Sequence, residues 1–193
     1  MDTLILGSHS PRRVEILNYF SIPFIQKGSN FDEESVRYEG DPVIHAKKLA
    51  EEKAIAITSG DETPILTADT IVEKQGVIYG KPANLSQATS FLEELQGSEH
   101  RVITALSLRK GDSVWTEHGE TSVYFHALDQ EQIRSYLKAI EWRDKAGGYA
   151  IQQGGGVVVQ KIAGCFYNVM GLPVSALSRL LKHVNIDLIK CIK

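Results

Sequence analysis

The stretch Leu4-Ile5-Leu6-Gly7-Ser8-His9-Ser10-Pro11-Arg12-Arg13 predicts a buried strand, a turn and a helix in direct succession. Ser10 stands where a helix N-cap is favoured, and Pro11 occupies the first helical position, where no backbone N–H is needed. Arg12 and Arg13 then invert the usual preference, because a helix N-terminus favours acidic side chains and disfavours each cation by roughly 0.3–1 kcal/mol. The pair therefore predicts a bound phosphate, with a solvated pair of arginines as the alternative.

Arg13 is expected to point inward. It shares one helical face with Ile16, Leu17 and Phe20, and this apolar face should pack on the core. We therefore expect the guanidinium of Arg13 to leave the helix on the buried side and not into bulk water.

Composition and charge exclude several classes of protein. The chain has 193 residues, 42% hydrophobic and 23% charged, which fits a single domain over 1–193. Its formal net charge of −3 argues against a nucleic-acid polymer as partner, because such proteins usually carry a basic surplus. The two cysteines, Cys165 and Cys191, lack CxxC spacing, which indicates a reducing compartment. No stretch approaches the ~18 apolar residues of a membrane span and no signal sequence is recognised, so we expect a cytoplasmic protein without membrane contact.

Strands and helices are mixed along the remaining chain, with both hairpins and crossovers between them. This pattern predicts a mixed sheet in an α/β or α+β protein. Strands are predicted over 65–72, 101–109, 114–125, 149–152 and 157–162. Helices are predicted over 42–58, 86–95 and 129–139, with a last one opening at Pro173.

Two charged residues interrupt apolar patterns and are candidates for a site. Asp69 lies inside the strand 65–72, where a half-buried carboxylate needs a metal ion, the arginines above or hydrogen bonds from a turn. A solvent-facing place at a strand end is the alternative. Lys53 falls on the apolar stripe of its helix, so its side chain must either extend to solvent or meet an anion.

Lys81 is a further candidate for a phosphate contact, because the Gly80-Lys81-Pro82 turn would hold its stem; an exposed turn lysine is the alternative. The glycines before it are not spaced as in a Walker P-loop, and those at 154–156 do not form a dinucleotide motif. Isolated cations, a strand aspartate and the acidic cluster 32–34 together suit a small polyphosphate held with a divalent ion. Hydrolysis of a phosphoanhydride needs carboxylates for Mg²⁺, fixed cations for the phosphates and a base for water.

Segments from nearly the whole chain also carry a family resemblance. They are 8–17, the Glu33 loop, 49–54, 68–70, 80–82, 100–104, 144–152 and 168–173. Together these segments resemble the Maf-type nucleoside triphosphate pyrophosphatases, relatives in fold of the inosine triphosphate pyrophosphatases. The resemblance implies an α/β fold with a mixed twisted sheet, flanking helices and two lobes around a deep cleft, assembled as a homodimer.

The resemblance further implies cleavage of a nucleoside triphosphate between the α and β phosphates, giving the monophosphate and pyrophosphate, with Mg²⁺ or Mn²⁺. By motif position, Asp69 would accept the proton of the attacking water, and Glu33 and Asp69 would approach the metal. The residues that would hold the phosphates are Arg13, Lys53 and Lys81, with Ser8 close to them. The positions associated with substrate choice are Arg12, Thr70 and Gln152.

The run 144–152, Asp-Lys-Ala-Gly-Gly-Tyr-Ala-Ile-Gln, resembles the family branch that prefers dTTP and UTP. A 7-methyl-GTP or modified-nucleotide pyrophosphatase is the alternative, and a nucleotide-binding regulator of cell division without turnover is a second one. The chain departs from the family pattern at 141–143, where Gly-Glu-Pro is usual, and in the tail 183–193, which is longer and more apolar. These departures affect a loop and the oligomer interface, and neither touches the phosphate site.

Overall fold

The computed structural model describes residues 3–60 and 62–193 and is organised around a seven-stranded sheet. The strands are β1 Leu4–Leu6, β2 Phe24–Gln26, β3 Ile65–Lys74, β4 Val77–Tyr79, β5 Glu99–Lys110, β6 Ser113–Phe125 and β7 Val159–Ala163. Their order is β2-β1-β3-β5-β6-β7, with β4 paired to β3. β1 runs parallel to β2 and β3, whereas the other pairs are antiparallel. The predicted mixed sheet is therefore confirmed.

Helices flank this sheet on both faces. They are α1 Pro11–Leu17, α2 Pro42–Ile55, α3 Leu85–Leu95, α4 Gln130–Ala139, α5 Phe166–Met170 and α6 Val174–Leu181. Side-chain caps fix where the longer ones begin: Asp41 accepts from two backbone N–H groups of α2, and Asp129 forms a capping box with Gln132 at the start of α4. Ser10 precedes α1 as predicted but forms no side-chain cap, and its backbone N–H donates to Ser8 Oγ at 3.2 Å.

The long strands β3 and β5 are apolar on both faces, because each face is covered by helices. On one face α2 packs its alanines against β3 and β5; the buried residues there are Ala46, Ala50, Ile71, Ile103 and Ala105. The opposite face carries two separate clusters. One surrounds the start of β3 with α1, α6 and the tail, and the other surrounds its end with α3 and α4.

A buried polar belt lies between those two clusters. Thr70 of β3 and Thr104 of β5 are hydrogen-bonded at 3.0 Å, and Thr104 Oγ1 donates to the carbonyl of Asn168 at 2.8 Å. Asn168 in turn donates through Nδ2 to Val102 at 2.9 Å and to Thr121 at 3.0 Å. The clusters thus meet across directed hydrogen bonds and not across apolar contact.

The sequence analysis placed some elements wrongly. The strand predicted over 149–152 does not form, because glycine turns bend the chain on both sides: Gly147 and Gly148 have φ of 70° and 71°, and Gly156 lies too close to Ile151 for a Cβ. The following strand is Val159–Ala163 and not 157–162. α2 ends at Ile55, three residues earlier than predicted, and α5 was not predicted, because five residues carry too little periodicity to detect.

The tail packs against the first cluster. Ile186, Leu188 and Cys191 are buried there, and Ile192 forms a bridge with Phe20, which lies beyond the end of α1 and not on it as predicted. Within residues 3–60 and 62–193, no helix is long and apolar enough to cross a membrane.

Candidate active site

A cleft of about 610 Å³ opens where β3 lacks a strand neighbour on one side. β1 pairs with β3 only as far as Leu66, and β4 pairs with it only from Val72, so 67–71 have a strand partner on the β5 side alone. The turn after β1 and the turn at Gly80-Lys81 flank this gap. Ligands of open α/β sheets bind at such places, beyond the carboxyl end of a strand.

All the site residues predicted from the sequence line this one cleft. They are Ser8, Arg12, Arg13, Glu33, Lys53, Asp69, Thr70, Lys81 and Gln152. They come from two helices, one strand and four separate turns or loops, so only the folded sheet brings them together. Their placement is a structural finding, while the role of each residue stays a prediction.

Arg13 is held by three fixed contacts. Its Nε donates to the carbonyl of Gly171 at 2.8 Å, Nη1 to Ser8 Oγ at 3.0 Å and Nη2 to Thr70 Oγ1 at 3.1 Å. Gly171 can end α5 in this position because its φ is 102°, which a side chain would disfavour. Because a guanidinium has five N–H donors, donors remain for a bound anion. Burial lowers the pKa of Arg13 to about 10, with Asp69 opposing this change, so the group stays charged at neutral pH.

Lys53 joins the two acidic residues of the cleft. Its Nζ lies 2.5 Å from Asp69 Oδ1 and 3.0 Å from Glu33 Oε1. Lys53 therefore meets an anion, and the alternative of a side chain extended to solvent is wrong. Asp69 is only 6% exposed and mid-strand, so the solvent-facing alternative is wrong as well. The partners predicted for Asp69 did not include Lys53, since sequence spacing cannot show that a helix lysine reaches the neighbouring strand.

Glu33 lies at the outer side of this pair. It belongs to a short 3₁₀ turn, Glu33–Ser35, that follows the cap residue Asp32. Partial burial raises the pKa of Glu33, but the ammonium of Lys53, together with Lys81 and Arg13, outweighs burial and lowers it below its usual range. Lys81 approaches Glu33 at 4.0 Å with most of its side chain exposed, so it can reach a ligand in the cleft.

Arg12 takes a different direction from Arg13. Its Nη1 donates to Asp144 Oδ2 at 2.7 Å and Nη2 to the Asp144 carbonyl at 3.1 Å, and Lys145 contacts the other carboxylate oxygen at 2.5 Å. The alternative of a solvated arginine pair is therefore wrong, whereas the phosphate predicted beside Arg12 and Arg13 stays a prediction, with both residues lining the cleft. Arg12 ties the start of α1 to the loop that leads to Gln152, across the cleft.

The carboxylate pair suits a divalent cation that keeps other oxygen ligands. Glu33 and Asp69 both bind the same ammonium, and no hydrogen bond or ion pair within the described chain engages their second oxygens. Among the described residues no group of three or more His, Cys, Asp and Glu forms a metal site. Mg²⁺ is commonly bound by one or two carboxylates together with substrate phosphates and water, so the residues present fit it.

His45 and Asp144 line the cleft as well and were missed as site residues. His45 lies on the same face of α2 as Lys53, two turns earlier, and its ring meets the ring of Tyr38 edge to face at 5.4 Å. Burial lowers the pKa of His45, with Asp69 opposing and Lys48 adding to the change. The four-residue spacing of His45, Leu49 and Lys53 could have indicated that His45 lies near Lys53, since i, i+4 positions share a helix face.

A second cavity of about 860 Å³ lies behind the loop that carries Gln152, against α4. It shares Lys145, Ala150 and Gln152 with the cleft but contains neither the arginines nor the Lys53 group. We therefore place the chemistry in the smaller cleft, where opposite charges converge.

Comparison of the sequence with known proteins identifies one family and relatives with one kind of name. Residues 3–184 match the family described as Maf-like protein. A dTTP/UTP pyrophosphatase of Chlamydia felis is 43% identical over 188 residues, covering 96% of this chain and 95% of its own. A dTTP/UTP pyrophosphatase of Chlamydia trachomatis is 39% identical over 187 residues, with the same coverage.

Solved structures overlap more loosely. The Ham1 protein of Staphylococcus aureus matches with a TM-score of 0.45 at 13% identity, over 64% of this chain and 72% of its own. A nucleoside-triphosphatase / dITP/XTP pyrophosphatase of Mycobacterium abscessus matches with a TM-score of 0.42 at 12% identity, over 95% and 98% of the two chains.

Proposed function

Since the chain belongs to the Maf-like protein family, we propose that it hydrolyses nucleoside triphosphates, dTTP and UTP foremost, to the monophosphate and pyrophosphate. The observation that carries the proposal is the convergence in one cleft of the fixed guanidinium of Arg13 and the carboxylate pair bridged by Lys53. The relatives named dTTP/UTP pyrophosphatase support the same activity and base preference.

The cations of the cleft supply the binding of the phosphates. Arg13 is already oriented by three contacts, so it loses little conformational freedom when it meets a phosphate oxygen. Lys53 and Lys81 add positive charge on the acidic side of the cleft. Fixed cations stabilise the charge that grows on the departing pyrophosphate, which is where electrostatic catalysis is strongest.

Asp69 is the base in this proposal. A water oxygen attacks the α-phosphorus, the bond from this phosphorus to the oxygen that bridges it to the β-phosphorus breaks, and pyrophosphate leaves with that electron pair. The proton of the water passes to an Asp69 carboxylate oxygen. Lys53 holds Asp69 Oδ1 at 2.5 Å, so the carboxylate is oriented before the substrate arrives.

Glu33 and Asp69 would hold the divalent cation, Mg²⁺ or Mn²⁺. When bound, it supplies charge neutralisation for the phosphates and lowers the pKa of bound water. Lys53 provides a positive charge of the protein's own between the two carboxylates.

Substrate choice is assigned to Gln152, Arg12 and Thr70. The amide of Gln152 can donate to a pyrimidine carbonyl and accept from the ring N–H, a pair that thymine and uracil present on one edge. A site built on such bonds rejects a mismatched base because its own polar groups are left unpaired. Thr70 acts through Arg13, to which its hydroxyl is bonded at 3.1 Å.

The deciding experiment measures pyrophosphate release from dTTP, UTP, CTP, GTP and 7-methyl-GTP, with Mg²⁺, with Mn²⁺ and with chelator. We expect dTTP and UTP to give the highest kcat/KM and chelator to abolish release. A lead for 7-methyl-GTP would move the chain to the other family branch. Nucleotide binding without release of pyrophosphate would instead support the regulator.

We also propose that the enzyme acts in the cytoplasm and as a homodimer. Both cysteines are free, which agrees with a reducing compartment. The tail exposes Ile189 and Ile192, at 76% and 64%, and Ile192 lies next to the segment that carries the exposed Tyr19. Exposed apolar side chains that lie together are typical of a protein interface. Sedimentation of the wild-type chain tests the dimer.

A further inference from the structure

We propose that Tyr136 of α4 is a positioning residue for substrate choice, because its hydroxyl holds the loop 150–155 that presents Gln152 to the cleft. This inference rests on the proposed function and adds to it a residue remote from the phosphates. Tyr136 lines the cavity behind the loop and does not line the cleft, so it acts through the loop and not on the nucleotide.

The hydroxyl of Tyr136 bonds both ends of the loop. It donates to the carbonyl of Gly155 at 2.9 Å, with the carbonyl of Ala150 at 3.3 Å, and accepts from the N–H of Ala150 at 3.1 Å. One phenol oxygen therefore fixes the separation of the two residues that bracket Gln152. Burial raises the pKa of Tyr136 to about 12, so the hydroxyl keeps its proton and remains a donor at neutral pH.

The loop lies outside the sheet, and Ala150 and Gln152 line the cleft on one side and the second cavity on the other. Ile151 packs against the first apolar cluster, and a 3₁₀ turn begins at Gln153. On the α4 side, the hydroxyl of Tyr136 supports the loop. Its chain path is tight: a Cβ on Gly155 would lie 2.7 Å from the Cβ of Ala150. Gln153 adopts a φ of 55°, which is unfavourable for a residue with a side chain. Such a conformation persists only where its surroundings hold it. Gln153 lies between Ala150 and Gly155, the two residues that the Tyr136 hydroxyl bonds.

The test compares Tyr136→Phe with Tyr79→Phe. Tyr79 is a matched control, because it is buried in the same apolar cluster and its hydroxyl donates to Glu94 Oε2 at 2.7 Å, away from the loop. For each variant we would measure kcat/KM for UTP, CTP and GTP, and backbone hydrogen exchange over 150–156. If the wild type shows no turnover, which would refute the proposed function, calorimetric affinities for the same nucleotides replace the rates.

For Tyr136→Phe we expect kcat/KM for UTP, relative to kcat/KM for CTP and for GTP, to fall by about fivefold. This factor corresponds to the net free energy of about one hydrogen bond. The fall should arise from KM, with kcat for UTP kept, because no phosphate-binding residue contacts Tyr136. Exchange over 150–156 should become faster. Tyr79→Phe should change neither the ratio nor the exchange of this segment, and in Gln152→Ala the Tyr136→Phe change should lower the ratio no further.

An unchanged ratio in Tyr136→Phe overturns the inference, whether or not the loop exchanges faster. An equal decrease in kcat/KM for every nucleotide would also overturn the inference, because it would indicate general destabilisation of the protein. Neither result bears on whether the wild type releases pyrophosphate, so the two proposals fail separately.

Discussion

Replacing Lys53 by methionine should destabilise the protein, and a divalent cation should restore part of the loss. Methionine fills a similar volume and removes the ammonium that lies between Asp69 and Glu33. Breaking a buried ion pair costs about 3–5 kcal/mol, because one charge remains buried without a partner. Asp69 is 6% exposed and borders a cleft that water can enter, so we expect a value near the lower end, about 3 kcal/mol.

The assay is thermal unfolding without nucleotide, in chelator and in Mg²⁺ or Mn²⁺. For a chain of this size about 3 kcal/mol corresponds to a decrease in Tm of roughly 6–12 °C. The cation should raise the Tm of Lys53→Met more than that of the wild type, since it replaces the missing positive charge between the carboxylates. Lys48→Met is the matched control, because Lys48 lies on the exposed side of the same helix and should leave Tm within about 1–2 °C.

The same variant has a pH signature. The folded state lowers the pKa of Glu33, so the stability that its ionised form contributes is present above the unfolded pKa and is lost as pH falls through the folded pKa. Lys53→Met should lose part of this acid-side dependence, because Lys53 is the main group that lowers the Glu33 pKa against burial. Equal Tm for Lys53→Met and Lys48→Met in chelator would refute this reasoning.

The other predictions concern the catalytic step, the phosphates and the base. Asp69→Asn should lower kcat about 10²-fold or more with nucleotide affinity largely kept, because an amide keeps the shape and cannot accept the proton; single-turnover rates within a few-fold of wild type would remove Asp69 as the base. Arg13→Lys should lower kcat/KM nearly as much as Arg13→Ala, since an ammonium cannot reproduce the contacts to Gly171, Ser8 and Thr70; steady-state kinetics on UTP test this, and full activity of Arg13→Lys would contradict it. Gln152→Ala should reduce the differences in kcat/KM among the nucleotides more than it lowers activity on poor substrates. If the variant ranks the nucleotides as the wild type does, another residue recognises the base.

The sequence predicted which residues lie together in one cleft better than it predicted the contacts among them. Asp69 and Lys53 each stood out because a charge inside an apolar pattern needs a partner. That they partner each other follows from the packing of α2 on β3, which no local pattern encodes. Arg12 and Arg13 were similarly predicted as a pair, whereas the fold sends one to Asp144 and the other to Gly171.

The secondary-structure elements were predicted most accurately where the local sequence signal is strongest. The hairpin β5–β6 and the helix after Asp129 were predicted within two residues, because long alternation and a cap residue mark them clearly. The segment 149–152 reads as a strand in isolation. It is a loop because glycines on both sides turn it away from the sheet and Tyr136 supplies the hydrogen bonds that a strand neighbour would have given.

The polar belt between the two apolar clusters constrains how this enzyme can evolve. Arg13 donates to the Thr70 hydroxyl, and the Thr104 hydroxyl donates to the carbonyl of Asn168. Because the only proton of the Thr104 hydroxyl is used there, Thr70 must be the donor in its bond with Thr104. Each of the two hydroxyls is therefore both an acceptor and a donor. A mutation that removed the Thr70 hydroxyl would therefore take away one of the three contacts of Arg13 and leave the buried hydroxyl of Thr104 without its donor. A change of substrate through Thr70 therefore also disturbs Thr104, and we expect the two positions to vary together.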